Sequence, residues 1–188
     1  MSECTNQHYL IIGGGPSGLS AAETLRHSGF TGRLTILSKE NYLPYDRTFL
    51  SKTWDNLEQE TRNQQFLDDY SIQFQKQARV TSIDENAKQV QYDQDGEVKQ
   101  MKYDKLLIAT GGRPKKLQVE GRNLTGLFEL REKEDVKRIQ NFTKEKKPKR
   151  ILLVGGGFIA YELSSTLRQM HKEADIKIIN RNGVLFEK

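Results

Sequence analysis

Tyr9-Leu10-Ile11-Ile12-Gly13-Gly14-Gly15-Pro16-Ser17-Gly18-Leu19 is the stretch that decides the fold. Its first four residues read as a short buried strand, and the glycines after them open a helix. Gly13, Gly15 and Gly18 stand at G-x-G-x-x-G spacing. Gly13 allows the tight turn, Gly15 leaves no side chain in the way of a pyrophosphate, and Gly18 lets the helix lie close to the strand. The helix N-terminus then offers N–H groups and a positive dipole end to the phosphates. A lone match of this kind is weak, but here the context is complete. A helix is expected from about Ser17 to His27, with Gly29 as its stop, and a buried strand from Leu34 to Leu37. That is a βαβ unit of about thirty residues. Glu40, about twenty residues past the last glycine, can accept from a ribose hydroxyl. The competing reading is a glycine turn used only for packing.

The arrangement returns once. Ile151 to Val154 reads as a strand, Gly155-Gly156-Gly157-Phe158-Ile159-Ala160 as the turn, Ile159 to Met170 as the helix and Ile176 to Ile179 as the next strand. Alanine at the third glycine position is permitted. No acid follows; the chain reads Asn180-Arg181. A carboxylate there favours NAD, whereas arginine tolerates the 2′-phosphate of NADP, and Asn180 can still bond a ribose. The competing reading is a degenerate turn that no longer binds nucleotide.

Between the two turns lie an irregular stretch (41–52) and a polar helical segment around Glu58 to Tyr70. Strands are expected at Ile72–Phe74, Val80–Ile83, Val90–Tyr92 and from Val98 into Tyr103, with Asp95-Gly96 as a hairpin signal. A buried strand, Leu106 to Ala109, runs into Thr110-Gly111-Gly112. Glu132 to Phe142 reads as a helix. The basic run from Lys144 to Arg150 reads as a solvated linker, against a localisation signal or a nucleic-acid patch. The fold class is therefore α/β: a Rossmann-like unit with an inserted antiparallel hairpin or meander, then the start of a second Rossmann βαβ unit.

Bulk properties exclude several classes. A net charge of +5, from 30 basic and 25 acidic residues, is too mild for a nucleic-acid signature. The one cysteine, Cys4, allows no internal disulfide, zinc site or Cys-x-x-Cys pair. No apolar run reaches the length of a membrane span. No signal peptide or presequence is expected ahead of Tyr9. The compartment stays open between cytoplasm and mitochondrion, a reducing one in either case. His8 is expected in an N-terminal tail, and His27 and His171 on helix surfaces.

Two such units, with Leu106-Leu-Ile-Ala-Thr-Gly-Gly-Arg-Pro114 between them, resemble the pyridine-nucleotide flavoprotein oxidoreductases. Leu43-Pro44-Tyr45-Asp46-Arg47 followed by Leu50-Ser51-Lys52 resembles the apoptosis-inducing-factor-like branch and the ferredoxin reductases that serve aromatic-ring dioxygenases. The resemblance implies FAD on the first unit and NAD(P)H on the second. It implies that Gly13, Gly15, Pro16, Ser17 and Gly18 meet the FAD pyrophosphate, Glu40 its ribose, and Arg47 its phosphates or ribityl chain. Lys52 would lie near the reactive edge of the flavin. The strand at Val80 would pass the adenine, and Ala109, Thr110, Gly111 and Arg113 would close over the cofactor. Gly155, Gly157, Phe158 and Ala160, with Asn180 and Arg181, would hold the nicotinamide nucleotide. Glu162 would approach its carboxamide and pair with Lys52; these last two are the candidate catalytic residues.

The resemblance further implies an FAD-binding segment over 1–143, a linker over 144–149 and the first part of an NAD(P)-binding domain over 150–188. The remaining family segments would lie beyond this sequence. Leu43 to Lys52 lacks the cysteine pair of related disulfide reductases, so electrons would leave to a separate acceptor: an iron–sulfur carrier, a quinone or oxygen. The expected function is FAD-dependent oxidation of NAD(P)H. The alternative is a truncated, catalytically inactive relative serving as a structural or interaction subunit. Leu152, Val154, Leu163, Leu167, Ile176 and Ile178 would leave an apolar patch open, so residues 150–188 are expected to pack against a partner chain or a second copy, or else to be the least protected part of the molecule.

Overall fold

The computed structural model describes residues 6–55, 57, 59–181 and 183–186; Cys4 lies outside them. Packing divides the chain into two compact units. The first comprises 1–46 and 59–112, and the second 47–58 and 113–188.

In the first unit, β1 (His8–Ile12), β2 (Arg33–Leu37), β3 (Ile72–Gln75) and β7 (Lys105–Ile108) form a parallel sheet of order β3-β2-β1-β7. α1 (Pro16–His27) joins β1 to β2, and α2 (Gln64–Asp69) precedes β3. β4 (Arg79–Asp84), β5 (Gln89–Gln94) and β6 (Glu97–Lys102) make a separate antiparallel meander. Alternation along β1 divides the core between two faces, because successive side chains point to opposite sides of a strand. Ile11 packs with Leu19 and Ala22 of α1 and Leu67 of α2. Leu10 and Ile12 pack with Val90, Tyr92 and Tyr103 beneath the meander. The β5–β6 hairpin turns at Asp95 (φ 57°) and Gly96 (φ 81°), both left-handed, as a two-residue hairpin requires.

Several expectations change. His8 is not in a tail but begins β1. Its Nδ1 lies 2.8 Å from the Lys102 carbonyl and its Nε2 2.9 Å from Thr35 Oγ1. α2 is shorter than the polar segment suggested, because Asn63 caps it: its Oδ1 accepts from Phe66 N at 3.0 Å. Phe66 and Tyr70, four residues apart, stack at 4.5 Å. Ile72–Gln75 joins the parallel sheet; period two marked a strand but not its partner. Leu106 to Ala109, expected to be buried, is the sheet's edge, and Ile108 is 60% exposed.

Burial lowers the His8 pKa from its usual 6.5, with Arg33 adding to the effect. A histidine with a lowered folded pKa contributes stability above its unfolded pKa and loses it as pH falls. We expect the first unit to lose stability as pH drops below 6.5. The loss should be smaller in His8→Gln, as read by urea denaturation at a series of pH values.

In the second unit, β8 (Arg150–Val154) and β9 (Asp175–Ile179) pair in parallel and are joined by α4 (Phe158–Met170). A 3-10 turn (Arg47–Ser51) and α3 (Lys133–Lys146) belong to the same unit. α3 runs past Phe142 into the expected linker. Lys144 and Lys146 sit in its last turn, where cations suit the dipole, and left-handed Lys147 before Pro148 ends it. The expected apolar patch is redrawn by the strand period. Leu163 and Leu167 are buried and Ile176 and Ile178 half-buried. Leu152 (56% exposed), Val154 (54%) and Ile179 share the open face.

One device occurs in both units. Arg26 Nη1 donates to the Phe30 and Gly32 carbonyls at 2.7 and 2.9 Å. Arg168 Nη1 donates to the Lys172 and Ala174 carbonyls at 2.9 and 2.8 Å. Each arginine stands equally far past its glycine turn and ties the loop between its helix and the next strand back to the helix. Arg26 also reaches the Tyr70 and Ser71 carbonyls at 2.8 and 2.9 Å. Hydrogen bonds from a charged donor contribute about 1.5–3 kcal/mol each and do not add fully. Arg26→Ala should cost the first unit about 3 kcal/mol by denaturant titration.

Candidate functional site: two glycine turns and a lysine–glutamate pair

β1 has β2 on one side and β7 on the other, so the first turn leaves the sheet where the strand order reverses. That is where open α/β sheets take ligands. Gly13 has φ 121°, and its N–H donates to the Leu37 carbonyl at 2.9 Å. A Cβ on Gly13 would overlap the Ala109 carbonyl, and one on Gly18 would overlap the Gly13 carbonyl. Gly14, which the motif leaves unspecified, is as confined: its Cβ would stand 2.6 Å from Phe74 and from Ser38. Gly15 differs from all three, since its Cβ would meet nothing within 4 Å.

α1 begins with Gly15 as N-cap, Pro16 just inside, and no side-chain cap. α2 has a capping side chain and α1 does not, so the first-turn N–H groups of α1 face the space before Gly15 without one. Pro16 and Ser17 are exposed there. Ala109, half-buried, and Thr110 flank Gly13, and exposed Gly111 has φ 69°. Glu40 is half-buried beyond the end of β2, where its Oε2 accepts from the Tyr45 hydroxyl at 2.6 Å. Val80 lies on the meander, packed against its core. A cavity of about 680 Å³ lined by His8, Arg33, Lys88, Lys102 and Asp104 opens near the starts of β1 and β2, at the other end of the strands from the turn.

The second turn repeats the backbone of the first, except that a Cβ on Gly155 would meet nothing within 4 Å where one on Gly13 would overlap the Ala109 carbonyl. Gly155 has φ 127°, and its N–H donates to the Ile179 carbonyl at 2.8 Å. A Cβ on Gly157 would meet nothing within 4 Å, and Gly157 caps α4 with no side-chain bond. Phe158 is exposed and stacks on Phe186 at 4.7 Å. Ala160 stands half-buried in the first turn of α4. Asn180 is committed to its own loop. Its Oδ1 accepts from Gly183 N and its Nδ2 donates to the Val184 carbonyl, both at 2.6 Å. Arg181 beside it is exposed.

The expected lysine–glutamate pair is present within the second unit. Lys52 Nζ lies 3.7 Å from Glu162 Oε1. Arg47 Nη1 donates to the Arg131 carbonyl at 2.8 Å, and Arg113 is exposed. Two residues that the sequence analysis did not single out complete the group. Ser51 Oγ donates to Glu162 Oε2 at 2.5 Å, and Thr166 Oγ1 lies 2.8 Å from the Ser51 carbonyl and 3.0 Å from that of Lys52. Thr166 stands one turn after Glu162 and so shares its helix face, a spacing that could have flagged it.

The profile of the family described as pyridine nucleotide-disulphide oxidoreductase matches residues 7–188. The human protein "Apoptosis-inducing factor 3" is 33% identical over 88% of this chain and 27% of its own length. The "Benzene 1,2-dioxygenase system ferredoxin--NAD(+) reductase subunit" of Pseudomonas putida is 34% identical over 87% of this chain and 40% of its own. The chain thus spans less than half of these relatives. Among solved structures, the ferredoxin reductase for the CYP199A2 system of Rhodopseudomonas palustris is 28% identical, with a TM-score of 0.80. It covers 92% of this chain and 42% of its own.

Proposed function

The chain belongs to the pyridine nucleotide-disulphide oxidoreductase family, and from that premise we propose that it binds FAD at the Gly13–Gly18 turn and NAD(P)H at the Gly155–Ala160 turn. The observation that carries this reading is the contrast among the glycines. In the first turn Gly13 and Gly18 are consumed by the turn, while Gly15 faces open space ahead of a helix without a side-chain cap; in the second, Gly157 faces such space, as does Gly155, and Gly156 is the one confined, by Asn180. A side chain at either open position would stand where a pyrophosphate approaches the backbone.

When bound, the nicotinamide nucleotide would supply a hydride and the flavin would accept it. The residues of this chain bind and orient. The first-turn N–H groups of α1 and α4 hold phosphate oxygens, and Glu40 accepts from a ribose hydroxyl. Ala109, Thr110 and Gly111 border the first turn. Glu162 receives the nicotinamide carboxamide, and Lys52 supplies a fixed positive charge that favours the negative charge developing in hydride transfer. In this reading residues 1–143 serve FAD and 150–188 open the NAD(P) domain, joined through 144–149. Electrons leave to a separate carrier; the ferredoxin reductases among its relatives support an iron–sulfur protein. A second reading, a structural or interaction subunit, draws on the open face of Leu152, Val154 and Ile179. A monomer by light scattering with protected β8 and β9 amides would weigh against it.

The test is calorimetric titration with FAD, NADH and NADPH. Micromolar FAD affinity supports the first assignment, and no heat with any of the three overturns the reading. Asn180 is engaged by its own loop and presents no carboxylate, while exposed Arg181 is placed for a 2′-phosphate. NADPH should therefore bind at least as tightly as NADH. Arg181→Ala should weaken NADPH by about tenfold, the scale of one charge-assisted contact. A preference for NADH that survives Arg181→Ala would contradict this.

A further inference from the structure

We propose that Ser51 is a positioning residue for Glu162 and, through it, for the nicotinamide end of a bound nucleotide. This rests on the reading that the second glycine turn takes a nicotinamide nucleotide. A carboxylate on the first turns of an exposed helix face ordinarily samples several rotamers. Glu162 is held from both sides. Ser51 Oγ donates to Oε2 at 2.5 Å, and Lys52 Nζ stands 3.7 Å from Oε1. The Ser51 hydroxyl has one proton, and the alternative acceptor, the Thr48 carbonyl, lies at 3.4 Å. The short distance to the carboxylate identifies the bond made, one of the charge-assisted kind.

Ser51 is itself immobilised. It is 4% exposed and ends the 3-10 turn. Its carbonyl accepts from Thr166 Oγ1, 2.8 Å away and nearly buried. Thr166 and Glu162 lie one helical turn apart on α4, so a single face of that helix grips Ser51 by its backbone and is gripped by its side chain. The chain of contacts runs from Thr166 to the Ser51 carbonyl, and from the Ser51 hydroxyl to Glu162. An oriented carboxylate oxygen then meets the carboxamide N–H group without first losing rotamer freedom. Lys52 alone would not achieve this, because its long, half-exposed stem fixes a charge but not a geometry.

The test compares NADH with ADP-ribose, which presents the same pyrophosphate and adenosine but no nicotinamide. Both are titrated calorimetrically into the parent chain, Ser51→Ala and Ser51→Thr. Side-chain couplings of Glu162 are measured by NMR in each. The expected result is NADH binding about tenfold weaker in Ser51→Ala. ADP-ribose should stay within about twofold, and Ser51→Thr should restore NADH binding. Glu162 should occupy one rotamer in the parent and an average in Ser51→Ala. Equal losses for both ligands would overturn the proposal, since Ser51 would then act only on the fold. Unchanged NADH affinity would overturn it as well. If neither ligand binds the parent, the reading of the second turn fails, and the couplings still decide: averaging already present in the parent contradicts the positioning role, and loss of a single rotamer on Ser51→Ala supports it.

Discussion

Gly15→Val is expected to abolish FAD retention while leaving the first unit folded. Gly15 has φ −83° and ψ −175°, an extended conformation that valine adopts readily. Its Cβ would touch nothing within 4 Å, so the surrounding side chains leave room for a β-carbon there. What resists it is the ligand. Two methyl groups would occupy the space where the pyrophosphate meets the N–H groups of α1, and every phosphate contact would lengthen together. A loss on the order of 100-fold or more in FAD affinity follows from about 3 kcal/mol of lost contact. Far-ultraviolet circular dichroism should match that of the parent, and the urea midpoint should fall only by what a poorer N-cap costs, about 1 kcal/mol. Unchanged FAD affinity would remove the assignment of the first turn.

Gly18→Val should do the opposite, damaging the fold before any ligand is considered. A Cβ there would overlap the Gly13 carbonyl and press on Ile11 at 3.3 Å. Neither is the free end of a flexible side chain. Gly13 is fixed by its own bond to Leu37 and by the passage of Ala109 beside it. α1 would have to lift from β1, pulling Leu19 and Ala22 from the core they share with Ile11. Overpacking against backbone costs about 3 kcal/mol, and often more where the core must open. The variant should therefore show a clearly lower urea midpoint with or without FAD. Parent-like stability would show that the turn is looser than its geometry indicates.

The two substitutions also mark how much was legible in the sequence. Motif spacing and context assign tasks to Gly13, Gly15 and Gly18; the fold confines Gly13 and Gly18 and leaves the space beside Gly15 open. The Lys52–Glu162 pair followed from the resemblance, and the second unit brings the two together. Other features were hidden for physical reasons. Gly14 stands at a position the motif leaves open; only the fold brings Phe74 and Ser38 against it. Asn180 reads as a ribose ligand from its place after β9; that its amide also bonds the turn that follows is not visible in the spacing. Ser51 and Thr166 are ordinary polar residues far apart in sequence, joined only when the 3-10 turn meets α4. Leu107 and Ile108 carry the apolar signature of a buried strand, and among the described residues they lie on an outer strand of their sheet. Arg26 and Arg168 stand equally far past their glycine turns. Their function appears only in the carbonyls they collect.

The most direct test of the central claim is the visible absorption spectrum of the purified chain. It would be saturated with FAD, passed through gel filtration and then treated with NADH or NADPH under argon. The account predicts a flavin spectrum at one equivalent per chain, lost in Gly15→Val, that bleaches on addition of the reduced nucleotide. A protein that emerges colourless, or a flavin spectrum equally strong in the parent and in Gly15→Val, would contradict it.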